Sequence, residues 1–278
     1  MAGVRILTDS TSDIPPEVAR RLGITVVPVY VQMEGRSLRD GEQLTREEFY
    51  RRLPALTQSP TTATPPLIDF VTALRNLADV ADEVIAVVVS ANLSGVYNML
   101  SLALREVERP RVHLVDSRQL MMGLGWQAIL AAEAAAANRG VREILGHLRE
   151  IQPRIRILGL LDTLDNLQRS GRVAWVRAVA GRLLHIKPLI EFRQGQATLI
   201  GQVRTRHKGI ERILELTAGL GRLERLAVLH TSSPDVEAFR ARLGALFPLE
   251  QILTSQVGPA VGTHLGPAAL GIAAITAA

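Results

Sequence analysis

The chain has no cysteine, so disulfides and thiolate metal sites are excluded, and nothing in it points to an oxidising compartment. Lysine is almost missing as well: of 32 basic residues only Lys187 and Lys208 are lysine, the rest being arginine. Set against 27 acidic residues, this leaves a net charge of +5 over 278 residues, which raises the isoelectric point without concentrating a field. Aromatic residues make up 4%, and the arginines are scattered instead of clustered among aromatic side chains, so the pattern of a nucleic-acid-binding surface is lacking. Long hydrophobic runs are lacking too. The richest, residues 120–137, is dominated by alanine and carries Gln127 and Glu133, which makes it a poor bilayer span. The N-terminal residues reach the polar Thr8-Asp9-Ser10 too early for the apolar core of a secretory signal. A cytoplasmic protein without an integral membrane segment is expected. His113, His147, His185, His207 and His230 show no metal-ligand spacing, and no metal or cofactor is expected.

What is present is 47% hydrophobic residues, enough for one large domain or two ordinary ones with a full core. In the first half, short Val/Ile/Leu runs at residues 4–7, 24–31, 84–89 and 112–115 alternate with helical patterns at 16–22, 66–77, 94–107 and 123–138. Continuous apolar runs separated by helices predict a doubly wound parallel sheet covered on both faces. After a helix over 141–151 the pattern changes. Strands are expected at 155–161, 226–230, 251–256 and 271–275, helices at 173–184, 208–216 and 235–246, and a hairpin at 188–192 and 197–203 turning at Gln194-Gly195. A hairpin within an α/β pattern implies a mixed sheet. The fold class is therefore α/β in two domains, an N-terminal α/β domain over 1–153 and a C-terminal α+β domain over 154–278, with a ligand cleft between them.

Three of the apolar runs end in polar triplets, Thr8-Asp9-Ser10, Ser90-Ala91-Asn92 and Asp116-Ser117-Arg118, at the carboxyl ends of expected parallel strands, where ligands gather. The stretch Ser90-Ala91-Asn92-Leu93-Ser94-Gly95-Val96-Tyr97 is the most telling, because a Ser-Gly turn opening a helix sets free N–H groups beside a hydroxyl and suits an anion. Pro60-Thr61-Thr62-Ala63-Thr64-Pro65 and His264-Leu265-Gly266-Pro267 add hydroxyl and imidazole donors with no neighbouring carboxylate. Each element also has a plainer reading. Ser94 can be an N-cap, Thr62 a turn residue, His264 a loop histidine, and Asp9 with Ser10 a cap for the next segment, part of the cleft, or catalytic groups.

Taken in order, these motifs resemble those of the DegV-type fatty-acid-binding proteins. The resemblance runs along the whole chain: Thr8-Asp9-Ser10-Thr11-Ser12-Asp13, Pro60-Thr61-Thr62 with Pro65, Leu93-Ser94-Gly95 with Tyr97, Asp116-Ser117, Asp162-Thr163-Leu164 leading to Ser170-Gly171-Arg172, Ile186-Lys187-Pro188, Val203-Arg204-Thr205, and His264 with Gly266-Pro267. It implies a non-catalytic carrier that encloses a long-chain fatty acid or acyl phosphate and presents the carboxyl group to a dihydroxyacetone-kinase-like, ATP-using partner. The acyl phosphate then feeds phospholipid synthesis, with membrane contact transient at most. The resemblance puts the head-group contacts on Thr62, Ser94, Gly95 and His264, and Arg172 near the phosphate or the partner surface. The chain departs from the family pattern at Ala63-Thr64, Val96 and Ala268, where Ser-Gln, Thr and Gly are commoner. A hydrolase using Ser94 and His264 with Asp9 or Asp116 is the enzymatic alternative, although the Gly-x-Ser-x-Gly elbow is missing. A phosphatase with a strand-end Asp9 would want a second acidic pair and a nearby lysine, which are not evident.

Overall fold

The computed structural model describes residues 3–173 and 186–278. The first apolar runs become strands β1 (Val4–Asp9), β2 (Ile24–Val27), β6 (Glu83–Val88) and β7 (Arg111–Asp116), which pair in parallel in the order β2-β1-β6-β7. Helices α1 (Pro16–Leu22), α3 (Leu67–Ala78), α4 (Val96–Ala103) and α6 (Val141–Ile151) form where the helical patterns lie. The run at 24–31 does not stay one strand. Pro28 has no N–H for a ladder, and beyond it β3 (Tyr30–Met33) leaves the parallel sheet. It pairs instead with β4 (Arg36–Arg39) and β5 (Thr61–Ala63) in a small antiparallel sheet ordered β4-β3-β5. Strands β4 and β5, and helix α2 (Arg46–Arg52) between them, have no counterpart in the apolar periodicity.

From residue 155 onward the strands build a second, mixed sheet. It contains β8 (Ile155–Leu160), β9 (Lys187–Arg193), β10 (Gln196–Val203), β11 (Leu223–His230), β12 (Leu253–Gln256) and β13 (Leu270–Thr276), in the order β10-β9-β8-β13-β11-β12. All its neighbours are antiparallel except β11 with β12. Alternation along the central strands divides the core into two layers. Leu158, Leu160, Val228 and Ile272 face helices α8 (Arg206–Ala218) and α9 (Val236–Leu243), whereas Ile157, Leu229 and Ala273 face the opposite side. The helix expected at 173–184 lies outside the described residues beyond its first position, as does His185.

Helix α5 (Met121–Ala136) fills the space on that opposite side and touches strands of both large sheets. Its middle is buried all round, which is why residues 120–137 read as an undivided Ala-rich apolar run with no polar face. Gln127 is fully buried and donates to the carbonyls of Ser117 and Gly123, while Trp126 donates to Ala273 O at 3.1 Å, tying α5 to the mixed sheet. Among the described residues no helix is long and apolar enough to cross a membrane.

The hairpin turn at Gln194-Gly195 fastens the mixed sheet to the parallel one. Gly195 has φ +80° and donates its N–H to Arg118 O at 2.7 Å, and a Cβ there would stand 2.8 Å from Asn92 Nδ2 and 3.0 Å from Ser90 Oγ. Gly195→Ala combines a left-handed backbone with a collision, and is expected to destabilise the protein by about 1–3 kcal/mol, read as a lowered Tm. An unchanged Tm would show that this turn gives way at no cost.

Candidate functional site

A cavity of about 190 Å³ opens where the carboxyl ends of β1 and β6 meet α5, β5 and the inner face of the mixed sheet. Its walls are chiefly aliphatic: Val89 and Leu93 after β6, Leu120 and Met121 at the start of α5, and Ile157, Ile190, Phe192 and Leu229 from the mixed sheet. Thr62, Ser94, Gly95, Arg172 and His264 all reach this one cavity although they lie up to about 200 positions apart in the chain.

Thr62 sits on β5, where Val31 of β3 is its register partner. Threonine suits a pleated edge, and Pro60 and Pro65 bound the strand without having to donate to a ladder. His264 lies in the last turn of α10 (Pro259–Leu265), a helix that starts with proline at its first position and ends at Gly266. His264 Nε2 is 3.2 Å from Thr62 Oγ1, within hydrogen-bond distance, whereas Nδ1 is buried and meets no partner among the described residues. Burial, aided by the positive charge of Arg172, pushes the imidazole down to about 4, so the ring is neutral at ordinary pH.

Ser94 and Gly95 open α4. Gly95 occupies the N-cap position with no side-chain cap, and Val96 N–H reaches Ser94 Oγ at a long 3.4 Å. Capping therefore makes little use of the Ser94 hydroxyl. Thr64, one residue beyond β5, has its Oγ1 only 3.1 Å from where a Cβ of Gly95 would be, so the β5 segment spans from His264 to the start of α4. The departure at Ala63-Thr64 thus keeps a hydroxyl in the cavity wall: Ala63 and Thr64 both line it. Arg172 follows the left-handed Gly171 that ends α7 (Asp165–Ser170), and is exposed while still touching the cavity.

The acidic candidates sit elsewhere in the network. Asp9 is fully buried and accepts from Thr11 N–H, Thr11 Oγ1 and Val89 N–H, so it caps the turn after β1 and ties it to β6. Burial raises its pKa. Ser10 donates to Asp40 at 2.7 Å and accepts from Val29 N–H. Asp116 accepts from the N–H groups of Ala91 and Arg118. Neither Asp9 nor Asp116 hydrogen-bonds His264, and among the described residues no carboxylate meets its ring, so the Ser94/His264 pair has no acid to complete a hydrolase triad. No cluster of three or more His, Cys, Asp or Glu suited to a metal occurs among the described residues.

Thr231 is unmarked in the sequence and Thr11 is marked only as part of the Thr8–Asp13 motif, yet both line the cavity. Their hydroxyls are engaged within the fold, Thr11 with Asp9 and Thr231 with Ala269 N–H at 2.6 Å. Each follows a strand end, the position that marked the other polar groups. What remains is a mostly apolar chamber whose other polar lining comprises the hydroxyls of Thr62, Thr64 and Ser94, the imidazoles of His264 and His230, and the guanidinium of Arg172.

Known proteins share this fold. A DegV domain-containing protein of Listeria innocua is 34% identical over 274 residues, which is 97% of each chain. Among solved structures, a fatty-acid-binding DegV family protein from Thermus thermophilus superposes with a TM-score of 0.91 at 29% identity, covering 99% of this chain and all of that one. DegV of Bacillus subtilis, described as a fatty acid binding protein, gives a TM-score of 0.90 at 30% identity over the full length of both. A family model described as "Uncharacterised protein, DegV family" matches residues 3–277, and the chain belongs to the DegV family.

Proposed function

We propose that this chain is a fatty-acid carrier, two units over 1–153 and 154–278 holding a long acyl chain between them with its carboxylate at Thr62, Ser94, Gly95 and His264. The observation that carries the reading is the pairing of an aliphatic cavity with a patch of neutral donors that contains no carboxylate. Each methylene removed from water contributes about 0.8 kcal/mol, so ten of them supply about 8 kcal/mol, and the tail alone accounts for firm binding. The head is the harder end, because an ionised carboxylate in a dry site needs partners or takes up a proton. Two hydroxyls, a neutral imidazole and the N–H groups opening α4 provide them without adding a second negative charge.

In this reading the chain does no chemistry of its own. A dihydroxyacetone-kinase-like partner transfers the terminal phosphoryl group of ATP to the carboxylate: a carboxylate oxygen forms the new P–O bond, ADP leaves, and the product is an acyl phosphate. Arg172, exposed at the cavity, offers a guanidinium fork suited to that phosphoryl group. Native mass spectrometry of the chain mixed with palmitate should show one bound acyl chain. With ATP and such a kinase added, hydroxylamine should then trap an acyl hydroxamate. A protein that stays empty at saturating palmitate would overturn the carrier reading, and a loaded carrier that never yields hydroxamate would remove the kinase step.

A further inference from the structure

Helix α10, which carries His264, has only seven residues and no side-chain cap of its own at Gly258. A helix this short holds its shape through its surroundings more than through propensity. Pro259 has no N–H to give, Asp40 receives the N–H of Ala260, and the N–H of the capping residue Gly258 goes to a group near the other end of the chain. Asp13, just beyond the turn after β1, has φ 51° and accepts Gly258 N–H on Oδ1 at 2.7 Å, while its backbone carbonyl accepts the Ser255 hydroxyl at 2.5 Å. Tyr50 of α2 donates to Val257 O at 2.9 Å, immediately before the cap. Gly258 is the residue that permits this approach, because a Cβ there would lie 3.0 Å from Asp13 Oδ1 and 3.2 and 3.3 Å from the two Asp40 oxygens.

We infer that Asp13 is a positioning residue for His264: by holding the start of α10 at Gly258 it sets where, one short helix away, the imidazole meets Thr62 and the ligand's carboxylate. The inference rests on the fatty-acid reading for its ligand, and it places no ligand at Asp13 itself. The charged groups that act on Asp13 are Arg46, whose guanidinium is 3.9 Å from Oδ1, and the carboxyl groups of Asp40 and Asp9. Burial pushes Asp13 up to about 8 and Asp40 up to about 7, with Arg46 pulling both down, so this corner favours an uncharged acid near neutral pH. An asparagine at 13 keeps an oxygen for Gly258 N–H; an alanine does not.

Binding of palmitate and of hexadecanol, which has the same tail and no carboxylate, separates positioning from packing. Asp13→Ala should weaken palmitate about tenfold and leave hexadecanol within about twofold, while Asp13→Asn stays within about twofold of the parent for both. In a His264→Ala background, Asp13→Ala should cost palmitate less than about twofold further. Equal losses for acid and alcohol, or a full additive loss in the His264→Ala background, would overturn the inference. A readout free of ligand comes from histidine NMR. His264, at about 4 in the parent, should move up toward the ordinary 6.5 in Asp13→Ala as the ring loses its buried place, and an unmoved titration would also overturn it. Should Asp13→Ala not fold, Tyr50→Phe loosens the same chain end at Val257 and should shift selectivity and titration in the same directions. A parent protein that binds no palmitate would strike the fatty-acid reading alone, since the His264 titration still decides the positioning.

Discussion

His264→Ala is expected to weaken palmitate binding about ten- to hundredfold while changing hexadecanol by less than about threefold. The imidazole is neutral, buried and set against Thr62, so it can give one N–H to a carboxylate without itself costing the burial of a charge. A hydrogen bond to an ionised group contributes about 1.5–3 kcal/mol, and truncation also leaves the carboxylate less well solvated than before. The alcohol has no charge to lose. Competition against a fluorescent fatty acid, run for both ligands at one pH, reads the difference. Equal weakening of acid and alcohol would mean that position 264 shapes the cavity and does not meet the head group.

The second large effect concerns the tail. Gly159, next to the last residue of β8, is on the face turned toward α5, lines the cavity, and a Cβ placed on it meets nothing within 4 Å. Gly159→Leu should therefore fold, with its side chain filling space the acyl chain would use. If about three methylenes lose their burial, the cost is ~2.4 kcal/mol, or about fiftyfold in affinity for palmitate. Octanoate, too short to need that space, should bind as before. Affinity measured across a series of saturated acids should thus break at one chain length. A loss of the same size at every length would contradict a tail lying along β8.

The sequence was most legible where a single neighbour type decided the structure. Residues 16–22 and 141–151 carry an apolar stripe bounded by breakers, and α1 and α6 have those bounds. The Gln194-Gly195 hairpin was readable because two successive positive φ values demand that kind of dipeptide, and both residues adopt them. Legibility failed where tertiary pairing overrode local pattern. Residues 24–31 look like one strand, but only the chain's turn at Pro28 shows that β2 and β3 belong to different sheets. Thr62 and His264 gave no local sign of meeting, because one is on an edge strand and the other ends a short helix 202 residues later. Residue types and family resemblance pointed to them; their 3.2 Å separation follows from the way β5 and α10 are packed together. Asp13 was visible as part of the Thr8–Asp13 motif, but its link to Gly258 spans 245 residues and leaves no periodic trace.

A crystal structure of the chain with palmitate would locate both ends of the acyl chain. Carboxylate oxygens are expected within hydrogen-bond distance of Thr62, Ser94 and His264, with the hydrocarbon running inward past Gly159 between the parallel and mixed sheets. A carboxylate facing solvent while the methyl end rests against His264, or an acyl chain lying outside this cavity, would contradict this placement.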